Sequence, residues 1–495
     1  MDKQWFNDLE SKIPKGKVRT RFAPSPTGYM HVGGLRTALY AYLIAKQAGG
    51  TFILRIEDTD TARFVEGATE IIIKTLKDAG LNYDEGPDIG GPVEPYTQSR
   101  RKELYRPYAE LLCEKSAAYY CFCDFDEKKD HELKNDPCRD LLYETSKNRV
   151  ADGEPFVVRM KAPREGETTV SDVVFGDITT PNKTLDDMVL LKRDGLPTYN
   201  FANVIDDHLM GITHVLRGSE YISSAPKYNF LYDTLGWEIP IYVTVSLIMR
   251  DEKNKLSKRH GDPTYDDLLA QGYLPEAILN YVALLGWSPG GEEEMFTLGD
   301  LLAKFDINGI SKSPAIFDIN KLNHFNSEYI RALSIEKFTE KAKPYITGTI
   351  KNENISIDAI AKLLQARCEK FTDIPEKIDF FDNLPDYDTD LYIHKKSKTD
   401  IMISRDMLIA AKKVLEPLTD WTSETIHDTL IASALDLDVK NATLMWPIRI
   451  ATAGKAVTPG GAIEICFILG KDETLRRIDI GLDKLLSDRG GTTHE

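Results

Sequence analysis

The stretch from Val18 to Gly34 limits what this chain can fold into more than any other. Val18, Thr20 and Phe22 alternate with polar residues as in a strand, and Pro24-Ser25-Pro26 ends it, because two prolines remove two backbone donors and fix the local path. Thr27 and Gly28 turn the chain, His31 follows, and Gly33-Gly34 lead into an apolar periodicity. Leu35, Ala38, Leu39, Tyr42, Leu43 and Ala45 space like one face of a helix that runs to Gln47 and stops at Gly49-Gly50. Phe52 to Ile56 reads as a second strand with acidic residues at its far end, and Glu66 to Ala79 as a second helix. Strand, helix, strand, helix predicts a parallel sheet with helical crossovers and a ligand beyond the carboxyl ends of the strands.

A histidine and two glycines at a helix start suit a triphosphate, because backbone can approach it closely, the helix start offers donors and a favourable dipole, and an imidazole can donate. Far downstream, Lys255-Leu256-Ser257-Lys258-Arg259 forms a cationic loop that would place positive charge where negative charge grows in a transition state. Taken singly, His31 reads equally as a surface turn histidine, and Lys255 and Lys258 as solvated charges. Together the two segments predict ATP chemistry.

His31-Val32-Gly33-Gly34 and Lys255 to Arg259 resemble the paired signatures of class I aminoacyl-tRNA synthetases, HIGH and KMSKS. Arg21 to Gly28 (RFAPSPTG), Arg55 to Asp60 (RIEDTD) and Tyr199 to His208 (YNFANVIDDH) are similar to the glutamate-specific branch, which commonly has a small residue in place of the second histidine. The resemblance is to bacterial-type glutamyl-tRNA synthetases. It runs from about Val18 to the C-terminus and is strongest before Gly261.

That resemblance implies activation of L-glutamate with ATP to glutamyl-adenylate, with Mg2+ neutralising the phosphates. The acyl group then passes to the terminal adenosine of tRNA(Glu), releasing AMP and pyrophosphate. A non-discriminating enzyme would also charge tRNA(Gln). The catalytic groups implied are His31, Lys255 and Lys258. The ATP contacts are Pro24, Thr27, Gly28, His31, Gly33, Gly34, Leu256, Ser257, Lys258 and Arg259. Arg21, with Tyr199 and Asn203, would hold the substrate side-chain carboxylate, Arg217 the α-carboxylate, and Ala23, Ser25 and Glu57 the ammonium. Arg367 and Arg449 would contact tRNA, with Trp446 offering a stacking face.

The fold implied is α/β: a Rossmann-like parallel-sheet catalytic domain with an inserted acceptor-binding domain, followed by an all-helical anticodon-binding region. Its expected divisions are an N-terminal extension (1–15), a first catalytic half (16–98), an inserted acceptor-stem-binding domain (99–188), a second catalytic half (189–250), a helical stem-contact domain carrying the cationic loop (251–330), and the anticodon-binding domain (331–495). The residues themselves show the interruption after about Ser99. They show the alternation resuming with Val189-Leu190-Leu191, Tyr199 to Ile205 and Val215-Leu216, and helical patterns over Tyr265 to Ala270, Pro275 to Leu285 and from about Arg331 onward.

A net charge of -16 argues at first against a polyanionic partner, yet Thr244 to His260 carries five basic residues against two acidic, and Asn441 to Gly461 two against none. Cations placed along a phosphate track decide nucleic-acid affinity, so an acidic chain with segregated charge still binds RNA. No long apolar run and no secretory leader pattern predict a cytoplasmic protein with no membrane partner, and the family norm is a monomer.

Six cysteines in 495 residues give no disulfide framework. Cys121, Cys123 and Cys138 stand at a spacing that fits Zn2+ in a reducing compartment, or three free thiols. Some relatives have a zinc knuckle here ending in Cys-Arg-His. This chain has Asp140 in the histidine's place and a shorter loop containing His131, which leaves the fourth ligand open.

Three rival functions share part of this pattern. A truncated relative that glutamylates a modified tRNA base would lack residues 331–495, a scaffold on a dead synthetase fold would lose His31, Glu57 or Lys258, and a small-molecule nucleotidyltransferase would not need the helical tail.

Overall fold

The computed structural model describes residues 3–60, 65–123, 136–256 and 261–487. It divides into two compact units, Met1–Ala270 with Pro275–Ile319, and Gln271–Leu274 with Asn320–Glu495. The first unit begins α1 (Lys3–Glu10), β1 (Arg19–Phe22), α2 (Val32–Gln47), β2 (Thr51–Leu54), α3 (Ala68–Asp78), α4 (Lys102–Glu114), β3 (Ala118–Cys121), α5 (Tyr143–Ala151), β4 (Val157–Met160), β5 (Glu167–Asp172) and β6 (Gly176–Pro181). It continues with β7 (Val189–Leu191), α6 (Tyr199–Leu209), β8 (His214–Gly218), α7 (Ala225–Leu235), β9 (Ile241–Val245), β10 (Ile248–Met249), α8 (Tyr265–Ala270), α9 (Pro275–Leu284), α10 (Leu298–Lys304) and β11 (Ala315–Ile316).

A six-stranded sheet in the order β2-β1-β8-β9-β5-β6 organises this unit, parallel from β2 to β5, with β6 folding back antiparallel on β5. β1 is interior and all four of its residues are buried, Arg19 and Arg21 included. Both arginines are tolerated because each meets a carboxylate. Both oxygens of Glu85 accept from Arg19, at 2.8 and 2.9 Å, and Asp207 accepts from Arg21. The Thr20 hydroxyl donates to the Ala41 carbonyl. Gly50 matters for space: a Cβ there would lie 2.1 Å from the Val18 carbonyl oxygen, so only glycine lets the chain enter β2 alongside β1.

One expectation about organisation needs correction. Val189–Leu191 does not rejoin the parallel sheet; it pairs antiparallel with β4 in a separate three-stranded sheet, β3-β4-β7. Tyr199 to Ile205 belongs to a helix, α6, because Thr198 leads in with extended backbone and Phe201, Val204 and Ile205 repeat at helical spacing into the core. The hairpin β5–β6, which lies within 99–188, extends the main sheet. Tyr105, Tyr108 and Leu112 of α4 share one core with Phe201 and Ile205 of α6 and Tyr228 and Leu231 of α7.

The N-terminal stretch, whose role was illegible in sequence, forms a docked helix. Phe6 of α1 meets Tyr108 edge-on at 4.9 Å between centroids, and Glu10 is 2.8 Å from Nε2 of His208, whose ring lies 3.7 Å from Trp237 and nearly parallel to it. Burial works against ionisation of Glu10, yet hydrogen bonds from His208 and Trp237 outweigh it and hold the carboxyl below its ordinary value.

The second unit is built on α11 (Ile319–Ala332), α12 (Ile335–Thr349), α13 (Ile357–Leu364), α14 (Ile374–Asp382), α15 (Ile401–Leu415), α16 (Ser423–Asp436), α17 (Asn441–Ala453), α18 (Ala462–Leu469) and α19 (Lys471–Ser487), with no strand among its described residues. Leu408, Ile426, Leu444, Ile448, Cys466 and Ile478 form part of its core. Arg477, 1% exposed, donates to the carbonyls of Phe380 and Thr452 and pairs with Glu473, tying helix ends together inside the bundle.

Candidate active site

The turn between β1 and α2 delivers His31 as the cap of α2. Its backbone is extended, and Nδ1 accepts from the amides of Gly33 and Gly34 at 3.0 and 3.4 Å. An accepting Nδ1 places the proton of the neutral ring on Nε2, which makes that atom a donor. This modifies the expectation that the amides of Gly33 and Gly34 serve a phosphate directly, since both are turned to the imidazole. Gly33 is required for a steric reason, because a Cβ at this position would sit 2.7 Å from Cε1 of His31.

His31 lines a cavity of about 220 Å3 whose wall also contains Arg21, Ala23, Gly33, Gly34, Tyr199, Arg217, Lys255 and Leu256. Residues from before β2, from α6 and β8, and from after β10 therefore meet in one place at the carboxyl ends of β1, β8 and β9. Pro24, Ser25, Thr27, Gly28, Glu57 and Asn203 are not part of its described wall. Ser257, Lys258 and Arg259 lie outside the described residues. Their flanks are fixed, however. On the N-terminal side, the amide of Leu256 donates to the carbonyl of Ile248, and Arg250 reaches across to Asp262 with two bonds of 2.8 Å. On the C-terminal side, Thr264 forms a bridge with His31, and Tyr265 donates to the carbonyl of Met30. Both ends of the cationic loop thus stand beside the histidine turn.

Also in the cavity wall, Arg217 is held between the rings of Tyr228 and Tyr242, 4.8 and 4.3 Å from their centroids, and its buried Nε has no hydrogen-bond partner. Burial raises the Tyr199 hydroxyl well above its ordinary value, so it stays a protonated donor. Asn203 lies one turn along the same helix and donates to the carbonyls of Tyr199 and Asn200. Behind the wall runs a buried chain of charges. Arg21 donates to both oxygens of Asp207, Arg55 donates to Asp207 at 2.7 Å and to Glu57 at 2.9 Å, and Gln98 bridges Glu57 toward Asp206, which Arg101 and Tyr105 also hold. Burial pushes Glu57 up to about 7, only partly offset by Arg55 and Arg21, and its Oε2 has no hydrogen-bond partner. Burial likewise opposes ionisation of Asp207, but the two guanidinium groups prevail and hold it below its ordinary value.

Sequence reasoning assigned no role to Arg55, Asp207, Arg36, Glu220 or Tyr221. Arg36 lines the cavity and is anchored to the carbonyls of Leu285, at 2.7 Å, and Ser246, while Glu220 is the one carboxylate among the described lining residues. Arg55 and Asp207 lie within the motif segments, but their pairing with each other spans 152 residues and no local pattern encodes it.

Away from the cavity, Cys121, Cys123 and Cys138 gather with Asp136, each offering one ligand atom, all within 4.8 Å of one another. The Cys123 and Cys138 sulfurs are 3.7 Å apart, and Asp136 Oδ1 is 3.7 Å from Cys123 Sγ. Thiolates about 2.3 Å from a tetrahedral zinc stand roughly 3.8 Å from each other, so the set fits that ion. Tyr119 and Arg159 hold Asp136 Oδ2, which leaves Oδ1 turned to the sulfurs. Asp140 is not part of the cluster; its side chain is 90% exposed beside Lys161. His131 lies outside the described residues.

In the second unit, Arg367 donates to the Pro459 carbonyl and Arg449 to that of Ala456 at 2.8 Å, so the two arginines converge on one loop between α17 and α18. Trp446 does not offer the free face expected of it. Its ring is covered by His394, stacked at 3.7 Å, and by the Arg449 guanidinium at 4.4 Å.

Residues 17–324 match the family described as tRNA synthetases class I (E and Q), catalytic domain, and residues 337–482 match an anticodon binding domain. A glutamate–tRNA ligase of Clostridium tetani is 55% identical over 482 residues, covering 95% of this chain and 99% of that protein. A crystal structure of a glutamate tRNA ligase from Elizabethkingia meningosepticum, in complex with its amino acid, is similar at 35% identity and a TM-score of 0.85, covering 95% of this chain and all of that one. The glutamate-tRNA synthetase of Elizabethkingia anophelis matches at 34% identity and a TM-score of 0.83, over 94% of this chain and all of that one.

Proposed function

The chain belongs to the class I tRNA synthetases of the glutamate and glutamine branch, and on that footing we propose that it ligates L-glutamate to tRNA at the expense of ATP. The observation that carries this reading is the shared cavity, whose wall brings His31 and Lys255 together with Arg21, Tyr199 and Arg217. An oxygen of the α-carboxylate attacks the α-phosphorus of ATP, the bond to the bridging oxygen breaks, and pyrophosphate leaves with the electron pair. The ribose hydroxyl of the tRNA terminus then takes the acyl group from the adenylate and releases AMP. No protein nucleophile is needed, so the side chains act by positioning and charge. Nε2 of His31 donates to the phosphates, and Lys255 with Lys258, whose loop has both ends fixed beside that ring, offsets charge on the pentacoordinate phosphorus. Ser257 and Arg259 complete the cover over the nucleotide, and Pro24, Thr27 and Gly28 shape the turn beneath it.

Glutamate lies with its side-chain carboxylate toward Arg21 and Tyr199 and its α-carboxylate toward Arg217. Its ammonium faces Glu57, with Ala23 and Ser25 alongside. Asn203 acts from the next turn of α6. Mg2+ arrives with the ATP phosphates, since a single lining carboxylate, Glu220, does not make a magnesium cage. Cys121, Cys123 and Cys138 would hold Zn2+ with Asp136, and the ion would brace β3 rather than take part in the reaction. Arg367 and Arg449 present the loop between α17 and α18 to the anticodon of tRNA(Glu), the chain acting as a cytoplasmic monomer. The segment 99–188 reaches the acceptor stem.

The deciding experiment is aminoacylation of total tRNA with glutamate and, separately, glutamine, followed by identification of the charged species. Glutamate on tRNA(Glu) alone is expected. Charging of tRNA(Gln) as well would select the non-discriminating form, and no glutamate-dependent charging would overturn the reading.

A further inference from the structure

Arg21 is the cation that must tell a carboxylate side chain from an amide, yet its guanidinium is already engaged before any substrate arrives. Nε and Nη2 donate to the two oxygens of Asp207 at 3.0 and 3.2 Å, and Nη1 donates to the Leu216 carbonyl at 2.9 Å. A guanidinium carries five N–H groups, so these bonds commit three and leave one hydrogen on each Nη, the pair that a carboxylate takes bidentately. Arg21 reaches the cavity wall, whereas Asp207 is 1% exposed and does not. Asp207 sits on α6 one turn after Asn203 and two after Tyr199, so the element that carries the substrate contacts also anchors the fork.

We propose that Asp207 is a positioning residue for side-chain selection, fixing the Arg21 fork so that its two remaining donors meet the γ-carboxylate of glutamate. The proposal rests on the reading of this cavity as a glutamate site. Simple charge counting gives the opposite sign. Arg21, Arg55, Arg217 and Lys255 face Asp207 and Glu57 here, with Arg36 and Glu220 offsetting one another, so the site carries an excess of positive charge and glutamate one negative. Removing the Asp207 charge enlarges that excess and by attraction alone would tighten glutamate. Loss of the anchor instead frees the fork to rotate, and a bidentate contact displaced by about 1 Å loses on the order of 100-fold. Asp207 remains ionised in the folded protein despite its burial, because Arg21 and Arg55 hold it so, and this keeps the anchor in place across the working pH range.

The test is glutamate-dependent pyrophosphate exchange by the full chain with tRNA present, comparing wild type and Asp207→Asn. The KM for glutamate is expected to rise between roughly tenfold and 100-fold, with the KM for ATP within about twofold. Inhibition by glutamine, whose neutral side chain makes no use of the Arg21 charge, is expected to stay within about threefold. An unchanged or lowered glutamate KM overturns the proposal, as does equal weakening of glutamate and glutamine, which would mark Asp207 as merely structural. Should Asp207→Asn fail to fold, Asp207→Glu decides: it keeps the charge but shifts the anchor by one methylene, and a glutamate KM equal to wild type overturns the proposal. Absence of exchange in the wild type would instead sink the glutamate reading itself.

Discussion

Because Nδ1 of His31 accepts from the amides of its own helix, the ring proton sits on Nε2, and capping can be separated from chemistry by substitution. Asparagine caps helices well but supplies no donor at the place of Nε2. His31→Asn should lower the activation rate on the order of 100-fold with stability changed by no more than about 0.5 kcal/mol, whereas His31→Ala should lose the rate and about 1 kcal/mol besides. Lys258→Ala should show the rate loss alone, on the same order. Thermal melts beside pyrophosphate exchange separate the effects, and a normal rate in His31→Asn would remove the histidine from the mechanism. Glu57 gives a second residue-level expectation. It must be an anion to receive the substrate ammonium, and burial pushes it up to about 7, so protonation competes with substrate as pH falls. The glutamate KM should climb about tenfold per unit below that pH, and Glu57→Gln should be flat and weak throughout. The same shift lowers folded-state stability as pH rises from 4.5 to about 7, since the unfolded chain ionises this carboxyl first.

Among elements, the cysteine cluster after β3 carries the prediction most easily read. Protein purified without added metal should hold close to one zinc per chain by elemental analysis. Asp136→Ala should weaken zinc against a competing chelator by about tenfold or more, while Asp140→Ala leaves it unchanged. Three titratable free thiols and no zinc in the native protein would refute the site. The distance between these two aspartates shows why sequence stops short. Spacing announces the cysteines, but it does not say which of two neighbouring carboxylates turns to them; the Cys138 amide holds Asp136 Oδ1 at 2.8 Å. The helices α2, α8 and α9 and the strands β1 and β2 were legible because periodicity and Gly or Pro stops are local. β7 was not, since three apolar residues fit a parallel or an antiparallel neighbour equally well, and the pairing is chosen by β4. Arg21, His31 and Lys255 could be recognised from motif context, whereas Asp207 and Arg55, although inside the motif segments, showed their role only when residues distant in the chain were brought into contact.

At the scale of the whole molecule, a chain of net charge -16 must bind a polyanion through local cations, and such binding is sensitive to counterions. Raising monovalent salt from about 50 to about 200 mM should raise the KM for tRNA by roughly tenfold or more while the KM for glutamate moves less than about twofold. Aminoacylation kinetics at several salt concentrations check this, and a tRNA KM indifferent to salt would mean that phosphate contacts are not the source of affinity. Each of the two units also contains one near-parallel imidazole on an indole, His208 on Trp237 and His394 on Trp446, both with centroids 3.7 Å apart. The imidazole covers one face of each indole, so replacing either histidine with alanine bares that face to water, and the change in tryptophan emission gives a label-free optical report confined to the half of the chain that carries the pair.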